Sequence, residues 1–345
     1  MRPGNETAGF LRRRKYLLLA ALTLAAAAVS LTLGRYPADA ADVFTVMRLR
    51  LTGADPGEYA ALSGIIFAVR LPRVAGALLI GAALAVSGAA YQGVFRNPLV
   101  SSDLLGVSAG AGFGAAMAIL ASANMITVHF VSFFCGLGAV AASYFISARL
   151  SGGLKEGTLV MVLAGILVST VFQALIAFIK TVADPFNKLP AITYWLMGGL
   201  SSLTSAQLSL IAPPIIVGAL PLLLLRWKLN LLTLGEEESL ALGLRPALVR
   251  TVAVVCATLV TAAAVSVSGI IGWIGLVIPH LVRSLTGPDY RDLIPMSLFL
   301  GGLYLLVIDT VARTVLTMEI PLGILTALIG APFFIYLLRR MKEAW

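Results

Sequence analysis

Charge is the commodity this sequence lacks most. Only 12% of its 345 residues are Asp, Glu, Lys or Arg, about half the share of a typical soluble domain. Hydrophobic residues make up 59%, and mean hydropathy is +0.97, which excludes a water-soluble globular fold. Histidine and cysteine are nearly missing, represented by His129, His280, Cys135 and Cys256. Without further histidines or a His-Glu-x-x-His pair there is no metal-ligand cluster. Both cysteines fall inside apolar runs, so they read as small buried side chains rather than a disulfide framework. No Gly-x-x-x-x-Gly-Lys-Ser/Thr loop occurs, so the chain has no phosphate loop of its own for ATP. The alternating pattern of a membrane barrel is absent as well. Basic residues are scattered singly at the edges of apolar runs. That argues against nucleic acid despite a formal charge of +9 and a pI near 9.8.

What the sequence has is length of apolar run. Stretches near the ~20 residues needed to cross a bilayer recur throughout. They fall near 17–33, 66–92, 103–122, 126–148, 157–181, 206–225, 247–268, 274–286, 292–312 and 322–339. The eighth is short and contains Pro279, and residues 190–200 suit an extra short helix at the surface. Only helices satisfy this much backbone in lipid. The expected fold is therefore all-α: a polytopic membrane protein of about ten transmembrane helices. Ten spans put both termini on one side. That side carries 17 of the 25 lysines and arginines, which makes it cytoplasmic by the positive-inside rule. Residues 1–16 then form a cytoplasmic tail and 17–345 a single transmembrane domain. Arg12, Arg13, Arg14 and Lys15 before an apolar run imitate a signal peptide, but the run is too long for an ordinary one and reads as a retained first span.

Residues 234–246 break the apolar pattern. Leu234, Gly235, Glu236, Glu237, Glu238, Ser239, Leu240, Ala241, Leu242, Gly243, Leu244, Arg245 and Pro246 form a charged island on the cytoplasmic side. Flanking glycines and Pro246 would stop a short helix at both ends. The three glutamates and Ser239 are expected to face water, leaving Leu240, Leu242 and Leu244 to face protein. With so little other soluble matter, such a helix suits a handle for another protein; a solvated acidic loop is the plainer alternative.

One catalytic pattern matches. Gly106, Val107, Ser108, Ala109 and Gly110 satisfy Gly-x-Ser-x-Gly, but a nucleophile elbow needs a strand-to-helix turn and this copy opens an apolar helix. Glycines 106, 110 and 114 recur every four residues, a spacing that lets membrane helices approach closely. A serine hydrolase pairing Ser108 with His129 or His280 is the minor alternative.

Three stretches carry a resemblance. The first contains Arg70-Leu71-Pro72-Arg73, Gly81 through Gly88, Gln92-Gly93, Arg96-Asn97-Pro98-Leu99 and Leu105 through Gly110. The second is the island itself. The third contains Gly275 through Arg283, Asp309 through Arg313, Pro321-Leu322-Gly323 and Gly330-Ala331-Pro332. Together, from about residue 60 onward, they resemble the FecCD-type permeases of type II ABC importers for ferric siderophores, haem and cobalamin.

The resemblance implies a homodimer in a bacterial or archaeal cytoplasmic membrane. Two ATP-binding subunits would sit below and a periplasmic or lipid-anchored binding protein above. No cofactor is expected on this chain; ATP and magnesium belong to the partner ATPase. The island would be the coupling segment that sits in a groove of that ATPase. Arg70, Arg73 and Arg313, at the outer ends of the second and ninth spans, would meet glutamates of the binding protein, since guanidinium forks bind carboxylates bidentately. Snorkelling to headgroups, or pairing of Arg313 with Asp309 one turn earlier, is the alternative. Ser169, Gln173 and Lys180 share one face of the fifth span, and the resemblance places that face on the translocation pathway. Interhelical hydrogen bonding, with Lys180 reaching the interface, is the alternative there. His280 reads as a hydrogen-bond donor rather than a haem ligand. The expected substrate is a metal chelate, with ferric siderophore ahead of haem, cobalamin and an oxyanion such as molybdate. An ion-coupled secondary transporter would need ionisable residues near mid-membrane, whereas charges here cluster near span ends.

Overall fold

The computed structural model describes residues 4–36, 38–150 and 157–343. In chain order the α-helices are α1 (Gly4–Thr32), α2 (Ala40–Thr52), α3 (Ala60–Ile65), α4 (Leu71–Phe95), α5 (Val107–Leu120), α6 (Met125–Leu150) and α7 (Gly157–Val182). There follow α8 (Lys188–Leu196), α9 (Ser205–Leu234), α10 (Glu236–Ala241), α11 (Pro246–Ser268), α12 (Ile274–Thr286), α13 (Tyr290–Thr314) and α14 (Leu322–Glu343). Among the described residues seven helical stretches are long and apolar enough to cross a membrane, and three shorter apolar helices accompany them.

The hub is α4, buried along nearly its whole length. It packs against α13, α11, α9 and α12, and small residues are what let it. A Cβ at Gly81 would collide with the carbonyl of Gly301 on α13, and one at Gly88 with the carbonyl of Gly275 on α12. Backbone-to-backbone approach of this kind replaces the hydrophobic drive that lipid removes. α3 runs into α4 through a π turn over Ile66–Arg70, where the Leu71 amide reaches back to the carbonyl of Ile66. Pro72, with no N–H to donate, sits just beyond it.

Several expectations need adjusting. The first helix begins at Gly4, so most of the supposed tail of residues 1–16 is helical; residues 1–3 lie outside the described residues. The third span shrinks to α5, because Gly106 adopts φ +88° and breaks it from the single turn over Ser102–Leu105. The sixth extends to Leu234. The eighth span, α12, has only 13 residues, about 20 Å of helix. It starts inside the protein after a non-helical stretch in which Gly269 (φ +68°) and Trp273 (φ +72°) are left-handed. The short surface helix is α8. Amphipathic α2, capped by Asp39 and closed by left-handed Gly53, had no counterpart among the expected spans.

Candidate functional site

The island at residues 234–246 folds as a short, capped helix. Gly235 (φ +137°) ends α9, and α10 follows at once over Glu236–Ala241. Its C-terminus is a Schellman closure: left-handed Gly243 (φ +79°) donates to the carbonyl of Leu240, and the Leu244 amide to that of Ser239 at 3.0 Å. Ser239 is the pivot. Grouped with the water-facing glutamates by polarity, it is instead fully buried, with its hydroxyl between the carbonyls of Gly235 and Leu231, the latter 2.6 Å away. Among the leucines only Leu244 turns inward. Leu240 and Leu242 are 54% and 59% exposed, and Leu234 57%. Glu237 and Glu238 are exposed beside them, with Glu236 half-buried. The outcome is a short acidic helix on a buried serine anchor, with Leu240 on it and Leu234 and Leu242 flanking it, all three uncovered.

The handle connects inward through the last turns of α9. Asn230 donates to Asp289 at 2.6 Å and accepts from the Tyr290 amide at 2.8 Å. Asp289 caps α13 and pairs with Arg291 at 2.9 Å. Arg291 also lies over the ring of Trp227, 5.0 Å from its centroid. Partial burial pushes the Asp289 carboxyl up, but hydrogen bonds from Arg291 and Asn230 more than offset this and hold it at about 2. These bonds tie the end of α9 to the start of α13.

At the opposite end, three arginines meet between α1, α4 and α13. Arg73 grips Asp309 with Nε and Nη2, at 2.9–3.0 Å, and Glu319 with Nη1 and Nη2, at 3.0 and 2.9 Å. Arg313 donates to Ser30 and to the carbonyl of Leu33, and lies 3.7 Å from Asp309. Arg70 donates to the carbonyls of Leu31, Thr32 and Tyr36. It gets there because Gly34 has no Cβ, which would lie 2.7 Å from Nη2. All three arginines turn into the bundle in the single chain, each under 9% exposed. Arg70 and Arg73 have partners inside the bundle, whereas the buried Nε of Arg313 finds no hydrogen-bond partner among the described residues and faces Asp309 only at 3.7 Å; an unpaired charge at that depth costs several kcal/mol. The pairing of Arg313 with Asp309 is present; snorkelling is not. A 220 Å³ cleft lined by Arg35, Tyr36, the three arginines and Glu319 opens above them.

On α7, Ser169 packs beside Gly106, where a Cβ would lie 3.1 Å from its Oγ, while Gln173 is exposed and Lys180 half-buried. Ser108 pairs with Asp103, not with a histidine. The His129 ring lies between the Ser266 carbonyl (2.7 Å) and Gln207 (2.9 Å). Because a carbonyl only accepts, Nδ1 carries the hydrogen and Nε2 accepts from the Gln207 amide. His280 meets Phe333 edge-on at 6.3 Å; among the described residues it donates no hydrogen bond, contrary to expectation. Glycines 110 and 114 are contact points with α6, their would-be Cβ atoms 2.6 Å from the carbonyls of Cys135 and Val131. Among the described residues these groups form no catalytic constellation.

A bundle of long apolar helices with one short acidic helix, α10, beside it suits a membrane transport subunit. The model of the FecCD transport family matches residues 22–340, and the chain belongs to that family. It is 45% identical over 286 residues to an iron chelatin transport system permease of Helicobacter pylori, covering 83% of this chain and 85% of that one. It is 36% identical over 327 residues to the molybdate import permease MolB of Haemophilus influenzae, covering 94% and 95%. Its fold superimposes with a TM-score of 0.85 on a solved structure described as a metal-chelate-type ABC transporter in an inward-facing conformation. That match is at 36% identity and covers 95% and 99% of the two chains. The chain is thus an ABC importer permease subunit, an integral membrane protein that works with an ATPase and a substrate-binding protein and is not itself an enzyme. The secondary-transporter and hydrolase alternatives fall with that result.

Proposed function

We propose that this permease moves a metal chelate, a ferric siderophore first among candidates, from a binding protein into the cytoplasm. Two copies enclose the pathway in the cytoplasmic membrane, with both termini inside and two ATPase subunits, which carry the ATP and magnesium, below. The observation that carries the reading is the handle: an acidic helix with Leu234, Leu240 and Leu242 exposed, anchored by Ser239 and closed by Gly235 and Gly243. Exposed leucines on the aqueous side cost free energy unless a partner covers them. In this reading Glu236, Glu237 and Glu238 orient the ATPase groove, and Leu244 ties the handle to the bundle.

The binding protein docks over the outer arginine cluster. Three guanidiniums there face only two carboxylates, and Arg70 pairs with carbonyls alone, so the cleft has room and charge for an incoming carboxylate. Exposed Gln173, with Ser169 and Lys180 on the same helix, faces the pathway. The iron-chelate relative supports a chelate; the molybdate relative, matched over more of the chain, supports an oxyanion as second reading.

The test is uptake into proteoliposomes containing the permease, its ATPase and its binding protein. ATP-dependent accumulation of ferric siderophore, lost when either partner is omitted, is expected. Accumulation of molybdate but not siderophore overturns the substrate assignment, and uptake without the ATPase overturns the mechanism.

A further inference from the structure

Two carboxylates hold Arg73 in different ways. Asp309 lies within helix α13, its side chain 1% exposed, with Arg313 on its far side. Glu319 is 24% exposed and takes the other edge of the fork, Nη1 at 3.0 Å and Nη2 at 2.9 Å. It belongs to no helix, because residues 315–321 are the connection from α13 to α14. Val315, Leu316, Thr317 and Met318 on that connection are all exposed, and Glu319 turns back into the cluster. Arg73 and Glu319 both line the 220 Å³ cleft, together with Arg70, Arg313 and the exposed Arg35, whereas Asp309 does not. Glu319 therefore covers the edge of Arg73 that belongs to the cleft. Just beyond it, the amides of Leu322 and Gly323 donate to the carbonyls of Gly198 (2.9 Å) and Met197 (3.0 Å) at the end of α8.

On the reading that the binding protein docks over this cluster, we propose that Glu319 is the built-in occupant of its receiving site. A carboxylate of the incoming protein takes the place of Glu319 on Arg73, and Glu319 leaves for water. One carboxylate replaces another on the same fork, so no guanidinium is left unpaired at depth by the exchange. Asp309 stays and keeps the guanidinium oriented. With Glu319 in place three guanidiniums face two carboxylates; once it leaves they face one, and the excess positive charge favours the incoming anion. While Glu319 occupies the fork, only a fraction of permeases can receive the partner, which lowers its apparent affinity by that fraction. The connection that Arg73 lets go is the one hydrogen-bonded to the end of α8, which joins the docking site to that helix.

The test is the affinity of the binding protein for the full-length permease, assembled with its ATPase in nanodiscs and immobilised. Glu319→Gln keeps the shape and removes the competing charge. It should tighten binding by about fivefold, the factor that release of one partly exposed ion pair supplies. A Glu319 that merely props the connection would give the opposite sign. Should Glu319→Gln fail to fold, Glu319→Asp, one methylene shorter, should tighten binding in the same direction by less. Unchanged or weaker binding in the folded variant overturns the exchange. Arg35→Glu, which reverses an exposed charge on the cleft without touching the Arg73 fork, then tells whether the docking reading falls as well. Weakened binding in Arg35→Glu leaves docking over the cluster standing and the exchange alone refuted; unchanged binding refutes both.

Discussion

Arg73 holds Asp309 in a two-point contact inside the bundle, Nε and Nη2 both 2.9–3.0 Å from Oδ1. The two residues come from the hub helix α4 and from α13, so this pair joins the helices whose glycines already touch. Asp309 is almost wholly buried and also lies beside Arg313.

Removing one partner of such a pair strands the other. Asp309→Ala should lower unfolding stability by about 3–5 kcal/mol, read as a loss of melting temperature in detergent. Arg73→Leu/Asp309→Leu should cost much less than the sum of the two single changes. Additive losses would show that the two residues do not act as a pair.

Close backbone approach makes a second prediction. Gly88→Val pushes a branched side chain into the carbonyl of Gly275, and overpacking costs typically ~1–3 kcal/mol. Both melting temperature and the yield of folded protein should fall. Gly138→Ala, where a Cβ meets nothing within 4 Å, serves as the control and should be neutral.

The pH dependence of the tie between α9 and α13 follows from Asp289. Its carboxyl is held at about 2, below the ordinary value near ~3.9. A depressed folded-state value means the tie's stabilisation is fully present above the ordinary value and is lost as pH falls through about 2. A carboxyl carbon titration by NMR should place the Asp289 midpoint near the lower value, and Arg291→Gln should move it up. A midpoint near ~4 in wild type would contradict the tie.

The handle's stiffness rests on two small features. Gly243→Val places a β-branched residue at φ +79°, a cost of roughly 1–2 kcal/mol. Ser239→Val removes the buried hydroxyl's bond to Leu231. Each should reduce transport coupled to ATP hydrolysis more than it reduces retention of the ATPase. Equal loss of both would mean these residues serve binding rather than transmission.

Much of this architecture was legible beforehand, for a physical reason. Lipid forces the backbone into apolar helices, so apolar runs mark them closely; α12 begins and ends where its run does. α5 came out short because the run hides the conformational break at Gly106. α2 stayed unseen because only Val43 and Val46 are buried, too little apolar surface for a run. The handle's ends were readable from glycine and proline, but Ser239 was misplaced: polarity was used where helical position decides. The inward turn of Arg70, Arg73 and Arg313 was the least legible. Arg73's carboxylates lie 236 and 246 residues further along, and only the fold brings them together.

The most direct test of the handle is retention of the ATPase by detergent-solubilised permease, comparing wild type with Glu237→Ala/Leu240→Asp. Both targeted residues are exposed on α10, so the variant should stay folded. The account predicts that wild type retains the ATPase and the variant loses it. Equal retention by both forms, or by neither, would contradict the assignment of residues 234–246 as the coupling segment.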